Sequence, residues 1–235
     1  MLILTSWDDG HPCDLKLADM LLRHGLQGTF FVPRRNSEGR AVMSEQEIRQ
    51  CGHVFEIAGH TLDHVYLDRV NSAELMRQVG NSRIWLEDVL SVPVQGFCYP
   101  GGRVTRTALR AVRQAGFRYA RTNENFRCDS GRDPYRMPTT IQFYPHSPRV
   151  YLMNYLRYGR YTPRFGTLRA MLGGDDFAGR LRDIALDCAD RRGVFHLWGH
   201  SWEIEALGLW SVLDGFFAFL SSLPHRSKKL SEMWQ

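Results

Sequence analysis

The chain has 235 residues, 43% hydrophobic and 23% charged, which is enough for one sizeable domain with a full core. No run of about 18 apolar residues appears, and the opening segment MLILTSWDDG has neither a basic n-region nor a cleavage site, so no membrane span and no export leader are expected. The net charge of +5 comes from 30 Lys and Arg spread along the sequence, with Arg226-Ser227-Lys228-Lys229 as the longest cluster; a solvated basic surface explains it better than a nucleic-acid footprint.

Short apolar runs rich in β-branched and aromatic residues alternate with longer segments of helical period, the pattern of repeated β-α units around parallel strands. Strands are expected at 2–7, 28–33, 53–59, 95–99, 117–122, 138–144 and 193–199, a barrel-like number. A helix over 14–24 places Leu15, Leu17, Ala18, Leu21 and Leu22 largely on one face, and Gly25 ends it. Ser44-Glu45-Gln46-Glu47 is a capping box that opens a short helix stopping near Gly52. Longer helical stretches follow over 72–90 and 105–114. Residues 151–158 and 177–190 also read as helical, punctuated by Tyr161-Thr162-Pro163 and Gly173-Gly174. An aromatic-rich helix over 207–220 is expected on the barrel's outside, with Phe216, Phe217 and Phe219 as core. Five cysteines, Cys13, Cys51, Cys98, Cys128 and Cys188, are odd in number and share no C-x-x-C spacing. They argue against a disulfide framework or a thiolate metal site, and for a reduced, cytoplasmic compartment.

Four segments carry the chemistry. Trp7-Asp8-Asp9-Gly10 ends the first strand with two adjacent carboxylates, at the strand end where open sheets and barrels place ligands. Asp-Asp-Gly is also an ordinary turn, so the pair needs partners to mean more. Gly59-His60-Thr61-Leu62-Asp63-His64 supplies them: histidines four apart, spaced as on one side of a helical turn, can offer two nitrogens to one cation. The H-E-x-x-H protease pattern is not met, because Thr61 stands where the Glu would be. Two histidines and one carboxylate leave positions open for water and substrate. Gly96 to Gly102 ends another strand in a turn whose glycines let backbone amides approach a ligand. In Val194 to Glu203 a period of two points His196, Trp198 and His200 to one face, with His200 nearest the strand's carboxyl end as the candidate acid and His196 as its alternative.

Taken together, these segments resemble the polysaccharide deacetylases of carbohydrate esterase family 4, which share their catalytic domain with the nodulation-factor chitooligosaccharide deacetylases. The resemblance covers about residues 3 to 202. The family motif T-F-D-D-G is matched by Ser6-Trp7-Asp8-Asp9-Gly10, H-[ST]-x-x-H by His60-Thr61-Leu62-Asp63-His64, and the strand ending in a histidine by Leu197 to His200. It implies a distorted (β/α)7-type, TIM-barrel-like α/β fold and a single catalytic domain over 1–235. It implies a divalent metal on Asp9, His60 and His64, zinc first, with cobalt, nickel or manganese compatible. Asp8 would be the base and His200 the acid of a hydrolase that removes an N- or O-acetyl group from a sugar, oligosaccharide or polysaccharide. Water attacks with its proton passing to Asp8, and a backbone amide near Tyr99 helps hold the oxyanion. Tyr99, Pro100, Gly101, Gly102, Trp7, Arg121 and Trp202 are the candidate substrate contacts.

Two departures stand out. The third motif is commonly R-x-P-[YFW]-G, yet Cys98 stands in the arginine's place before Tyr99-Pro100-Gly101-Gly102. Arg103, Arg121 or Arg136 would have to steady Asp8 instead, and the sequence does not choose among them. The Asp-Trp segment that tunes the acid has no counterpart, with Asp133 as a distant stand-in. The rival readings are a hydrolase of formyl or cyclic amides on the same site, a carbohydrate-binding homologue weakened by the missing arginine, and a non-haem iron oxygenase.

Overall fold

The computed structural model describes residues 1–235 except Arg160, Gly174, Asp175 and Gln235. In chain order the elements are β1 (Leu2–Asp8), α1 (Asp14–Arg23), β2 (Thr29–Val32), α2 (Glu45–Gly52), β3 (Glu56–Gly59), α3 (Ser72–Leu90), β4 (Gly96–Cys98), α4 (Arg106–Gln114) and β5 (Tyr119–Arg121). They continue with β6 (Ile141–Gln142), α5 (Pro148–Arg157), α6 (Tyr161–Leu172), α7 (Phe177–Asp190), β7 (Val194–Gly199), α8 (Ser201–Ala206), α9 (Trp210–Ser222) and β8 (Arg226–Lys228). Helix starts follow the sequence's capping signals: Ser44, Asn71, Thr105 and Asp176 each accept a hydrogen bond from a backbone amide three residues on.

All strands run parallel, in the order β5-β4-β3-β2-β1-β7-β6. A parallel bridge between Arg121 and Met137 carries the sheet from β5 toward the segment leading into β6, so the sheet curls into the expected distorted (β/α)7-type barrel. The alternation of β1 divides its side chains cleanly. Leu4 packs inside with Phe31, Ala58, Cys98, Tyr119 and Met137, while Ile3 and Trp7 join the larger cluster shared with the surrounding helices. The even positions Leu4, Ser6 and Asp8 thus face the lumen, and Asp8 stands at its carboxyl end.

Four features differ from the sequence reading. Residues 226–228, expected as a solvated tail, form β8 on the lower half of β1, with Leu2 opposite Arg226 and Leu4 opposite Lys228. Leu230 then plugs the barrel floor, fully buried against the lumen cluster. Tyr161-Thr162-Pro163 does not break the chain but opens α6, where proline in the first turn sacrifices no intrahelical bond. The helix expected over 207–220 starts only at Trp210, as α9, because Gly208, left-handed at φ 64°, turns the chain after the short helix α8. Gly173 lies just past α6; Gly174, paired with it in the sequence reading, lies outside the described residues.

The fourth is a disulfide between Cys128 and Cys188, with Cα atoms 5.6 Å apart, whereas Cys13, Cys51 and Cys98 are free. The pair is 60 residues apart in sequence, and spacing rules look only for local patterns. The pairing removes the ground on which a reduced compartment was expected. No helix among the described residues is long and apolar enough to cross a membrane.

Candidate active site

At the carboxyl ends of the strands lies a cavity of about 180 Å³ lined by Asp8, Asp9, Glu38, Arg40, His60, His64, Tyr66, Tyr99, Gly101, Gly102, Arg121, Asn123, Trp198, His200 and Trp202. Asp9 follows β1 in the left-handed region at φ 78°, which swings its carboxylate across the barrel mouth toward β3. Gly10 continues the turn at φ 59°, where a side chain would strike Val32. His60 and His64 are not on a helical turn. They leave β3 through an irregular loop in which Thr61 (φ 63°) and His64 (φ 53°) are also left-handed. Gln78, buried on α3, fixes that loop by accepting hydrogen bonds from the amides of Leu62 (3.0 Å) and Asp63 (2.9 Å). The imidazole centroids end 5.0 Å apart.

The three groups fit a cation. His60 donates from Nδ1 to the carbonyl of Cys98 at 2.9 Å, which fixes its tautomer and leaves Nε2 as a lone pair. Nε2 of His60 and of His64 lie 3.6 and 3.0 Å from Oδ1 of Asp9, a buried oxygen with no hydrogen bond. Oδ2 is held separately by the indole N–H of Trp202 at 2.9 Å. Burial depresses His60 to about 4, so its ring is neutral at ordinary pH. Burial would raise the Asp9 carboxyl, but His64, His200 and His60 together drive it well below the usual carboxylate range.

Asp8 sits beside this cluster with its own partner. Arg121 donates from Nη2 to Oδ1 of Asp8, and the Cys98 thiol approaches Oδ2 at 3.7 Å. Burial opposes the Asp8 charge, yet Arg121, His60 and His200 outweigh it and lower the pKa. The guanidinium is 1% exposed and lies between Phe31 and Trp198, 5.2 and 4.9 Å from their ring centres. Cys98 and Arg121 are register partners on β4 and β5. The missing arginine is therefore replaced from the next strand at the same height. Arg103 instead pairs with Asp68 at 2.9 Å, and Arg136 with Asp133 at 3.8 Å.

His200 closes the far side. It donates from Nδ1 to Glu203 at 2.7 Å, and Glu203 also accepts from Gln142 at 3.1 Å. Burial disfavours the His200 cation, but the Glu203 hydrogen bond and the charges of Asp9, Glu203 and Asp8 prevail and push its pKa up to about 9. Asp133, the distant stand-in, only caps the turn at 134–136 and pairs with Arg113 at 3.5 Å. His196 is occupied below: Nδ1 donates to the carbonyl of Pro138 at 3.0 Å, Nε2 accepts from Ser6 at 2.9 Å, and burial lowers it to about 3. It does not line the cavity.

The expected substrate contacts divide. Tyr99, Gly101, Gly102, Arg121 and Trp202 line the cavity, whereas Pro100, in the same turn, is buried and does not. Trp7 is a correction: it is fully buried, bonded to Thr5 at 3.2 Å and edge-on to Phe217, because odd positions of β1 face the helices. The amide of Tyr99 is also spent, donating to the carbonyl of Arg121 at 3.3 Å. Residues the sequence reading missed include Glu203, Gln78, Asn123 and the rim group Glu38, Arg40 and Tyr66. Arg40 lies over the Trp202 ring at 4.0 Å, and Tyr66 bonds Glu38 at 3.2 Å. Only Glu203, three residues after His200 on one helical turn, left a local signal.

The sequence matches the polysaccharide deacetylase family over residues 1–120. It is 22% identical over 124 residues to a Bacillus subtilis (strain 168) protein named putative polysaccharide deacetylase YxkH, an alignment covering 52% of this chain and 44% of that protein. The chain therefore spans less than half the length of that curated relative. Among solved structures, a putative polysaccharide deacetylase from Mycobacterium smegmatis has a TM-score of 0.67 at 16% identity, covering 99% of this chain and 88% of the other. A family 4 acetyl xylan esterase from Clostridium thermocellum, in complex with a cobalt ion, has a TM-score of 0.62 at 13% identity over 99% and 90%. Such identities establish a shared fold along nearly the whole chain. With the family match covering just over half of the sequence, the chain belongs to the polysaccharide deacetylase family.

Proposed function

We propose that the protein is a metal-dependent hydrolase that removes an acetyl group from an amino sugar or an O-acetylated sugar. The observation that carries this reading is the convergence of two histidine Nε2 atoms on the hydrogen-bond-free Oδ1 of Asp9, with Asp8 and His200 across the same cavity. Asp9, His60 and His64 would hold a divalent cation. Such an ion supplies a polarised carbonyl and a more acidic water. Asp8, kept ionised by Arg121, is the acceptor for the water's proton. His200, kept protonated by Glu203, donates to the leaving nitrogen or oxygen. A cavity of about 180 Å³ admits an acetamido group with one sugar ring more readily than several rings at once.

Arg121 and Glu203 answer the two departures from the family pattern, which weighs against the weakened binding homologue. Release of acetate from N-acetylated sugars, lost on chelation and restored by zinc, cobalt, nickel or manganese, is the expected result. Formyl and cyclic amide substrates serve as comparison arms; turnover of those alone would replace the acetyl reading. Glu203→Gln tests the acid. Because the folded pKa of His200 lies above its ordinary ~6.5, the charged state contributes stability fully below that value and loses it as pH rises through about 9. The alkaline limb of kcat/KM should therefore move acidward by about one unit or more in Glu203→Gln. An unmoved limb would remove His200 from the acid role.

A further inference from the structure

Lys and Arg are spread along the chain, but the acidic residues that balance them are not. From Pro134 to Gly174 the sequence holds six arginines and no Asp or Glu. Without those six, 24 basic residues face 25 acidic ones, so this one segment carries the whole positive excess. Within it, α5 and α6 lie between β6 and β7.

These helices are also apolar on the outside. On α5 the buried side chains Tyr151 and Tyr155 lie opposite Leu152 (46% exposed), Met153 (59%) and Leu156 (54%). On α6, Arg164, Thr167, Leu168 and Met171 are buried, and the exposed stripe is Tyr161, Phe165 (57%), Arg169 and Leu172. Six of the thirteen exposed large apolar residues among the described residues fall on these two helices, with Arg149, Arg157 and Arg169 exposed among them. Apolar side chains bordered by arginines and no acid make the pattern of helices lying in a lipid interface, where apolar groups enter the acyl boundary and guanidinium groups meet phosphates. The Arg-only charge of this face disfavours a second copy of the same face.

The patch adjoins the catalytic mouth. Arg157 donates to the carbonyl of Gly101 at 3.3 Å, and the Tyr158 hydroxyl donates to the carbonyl of Gly102 at 3.3 Å and to Asn123. Gly101, Gly102 and Asn123 all line the cavity.

We propose that the outer face of α5 and α6 docks on an anionic lipid bilayer, holding the mouth of the cavity beside the head groups. The proposal is independent of which bond the site cleaves. Sedimentation of the full chain with vesicles of phosphatidylcholine, with and without phosphatidylglycerol, tests it. Binding is expected only with phosphatidylglycerol and should weaken as salt rises. Arg149→Gln/Arg169→Gln should bind more than about tenfold more weakly, at a few-fold per arginine. Leu152→Ser/Met153→Ser/Phe165→Ser should lose vesicle binding while keeping its thermal midpoint, since all three side chains are exposed. Absence of binding to anionic vesicles would overturn the proposal. So would binding by either variant equal to the parent's, or light scattering that shows a dimer abolished by the serine variant without vesicle binding in the parent.

Discussion

Asp8→Asn is expected to keep its bound metal and lose about 10²–10⁴ in kcat, whereas Asp9→Ala should lose metal and acetate release together. The two carboxylates are neighbours in sequence, but their surroundings differ, and the proposed roles follow that difference. Asp9 presents a bare Oδ1 to two imidazole nitrogens, and its removal leaves His60 and His64 without the only anion in their triangle. Asp8 faces Arg121 and Cys98, so Asn in its place takes away a proton acceptor and leaves the three cation ligands intact. Metal analysis by mass spectrometry on purified variants, alongside acetate release, separates the roles. Metal loss in Asp8→Asn, or full turnover in Asp9→Ala, would reverse the assignment.

Arg121→Met should be the most damaging change that touches neither a cation ligand nor the base itself. Breaking a buried ion pair from one side typically costs about 3–5 kcal/mol, and Arg121 and Asp8 are both buried. The pH consequence follows from the same pair. Asp8 has its folded pKa lowered, so its ionised form contributes stability above the ordinary carboxylate range and loses it as pH falls through the folded value. Without Arg121 burial dominates, the Asp8 carboxyl rises, and the acidic limb of kcat should shift to higher pH. Since Cys98 and Arg121 are register partners, the exchange Cys98→Arg/Arg121→Cys should recover part of both activity and midpoint. A normal acidic limb in Arg121→Met would show that Asp8 is held by something else.

The fold was legible because each of the seven expected strands is a short apolar run, and the candidate site because Asp8 adjoins Asp9 and His60 and His64 are four apart. What escaped was held together across space. Arg121 was one of three equal arginines until strand pairing put it level with Cys98, and the family match itself stops one residue before it. Glu203 is hidden because the family's partner for the acid is an Asp-Trp segment distant in sequence, whereas here it lies three residues after His200. Trp7 was misassigned although period two in β1 already set it on the face opposite Asp8. The disulfide between Cys128 and Cys188 and the stopper at Leu230 depend on contacts between distant residues, which no local pattern encodes.

Asp9, Thr61 and His64 all take left-handed backbone conformations that glycine adopts without penalty. Each such non-glycine residue costs of order 1–3 kcal/mol, so this corner of the barrel is less stable than its contacts alone would make it. Selection for heat resistance alone would reward glycine at these positions, and at Asp9 or His64 the winners would be inert. A directed-evolution campaign on this scaffold must therefore screen turnover in every round, because its most thermostable survivors are where the catalyst is easiest to lose.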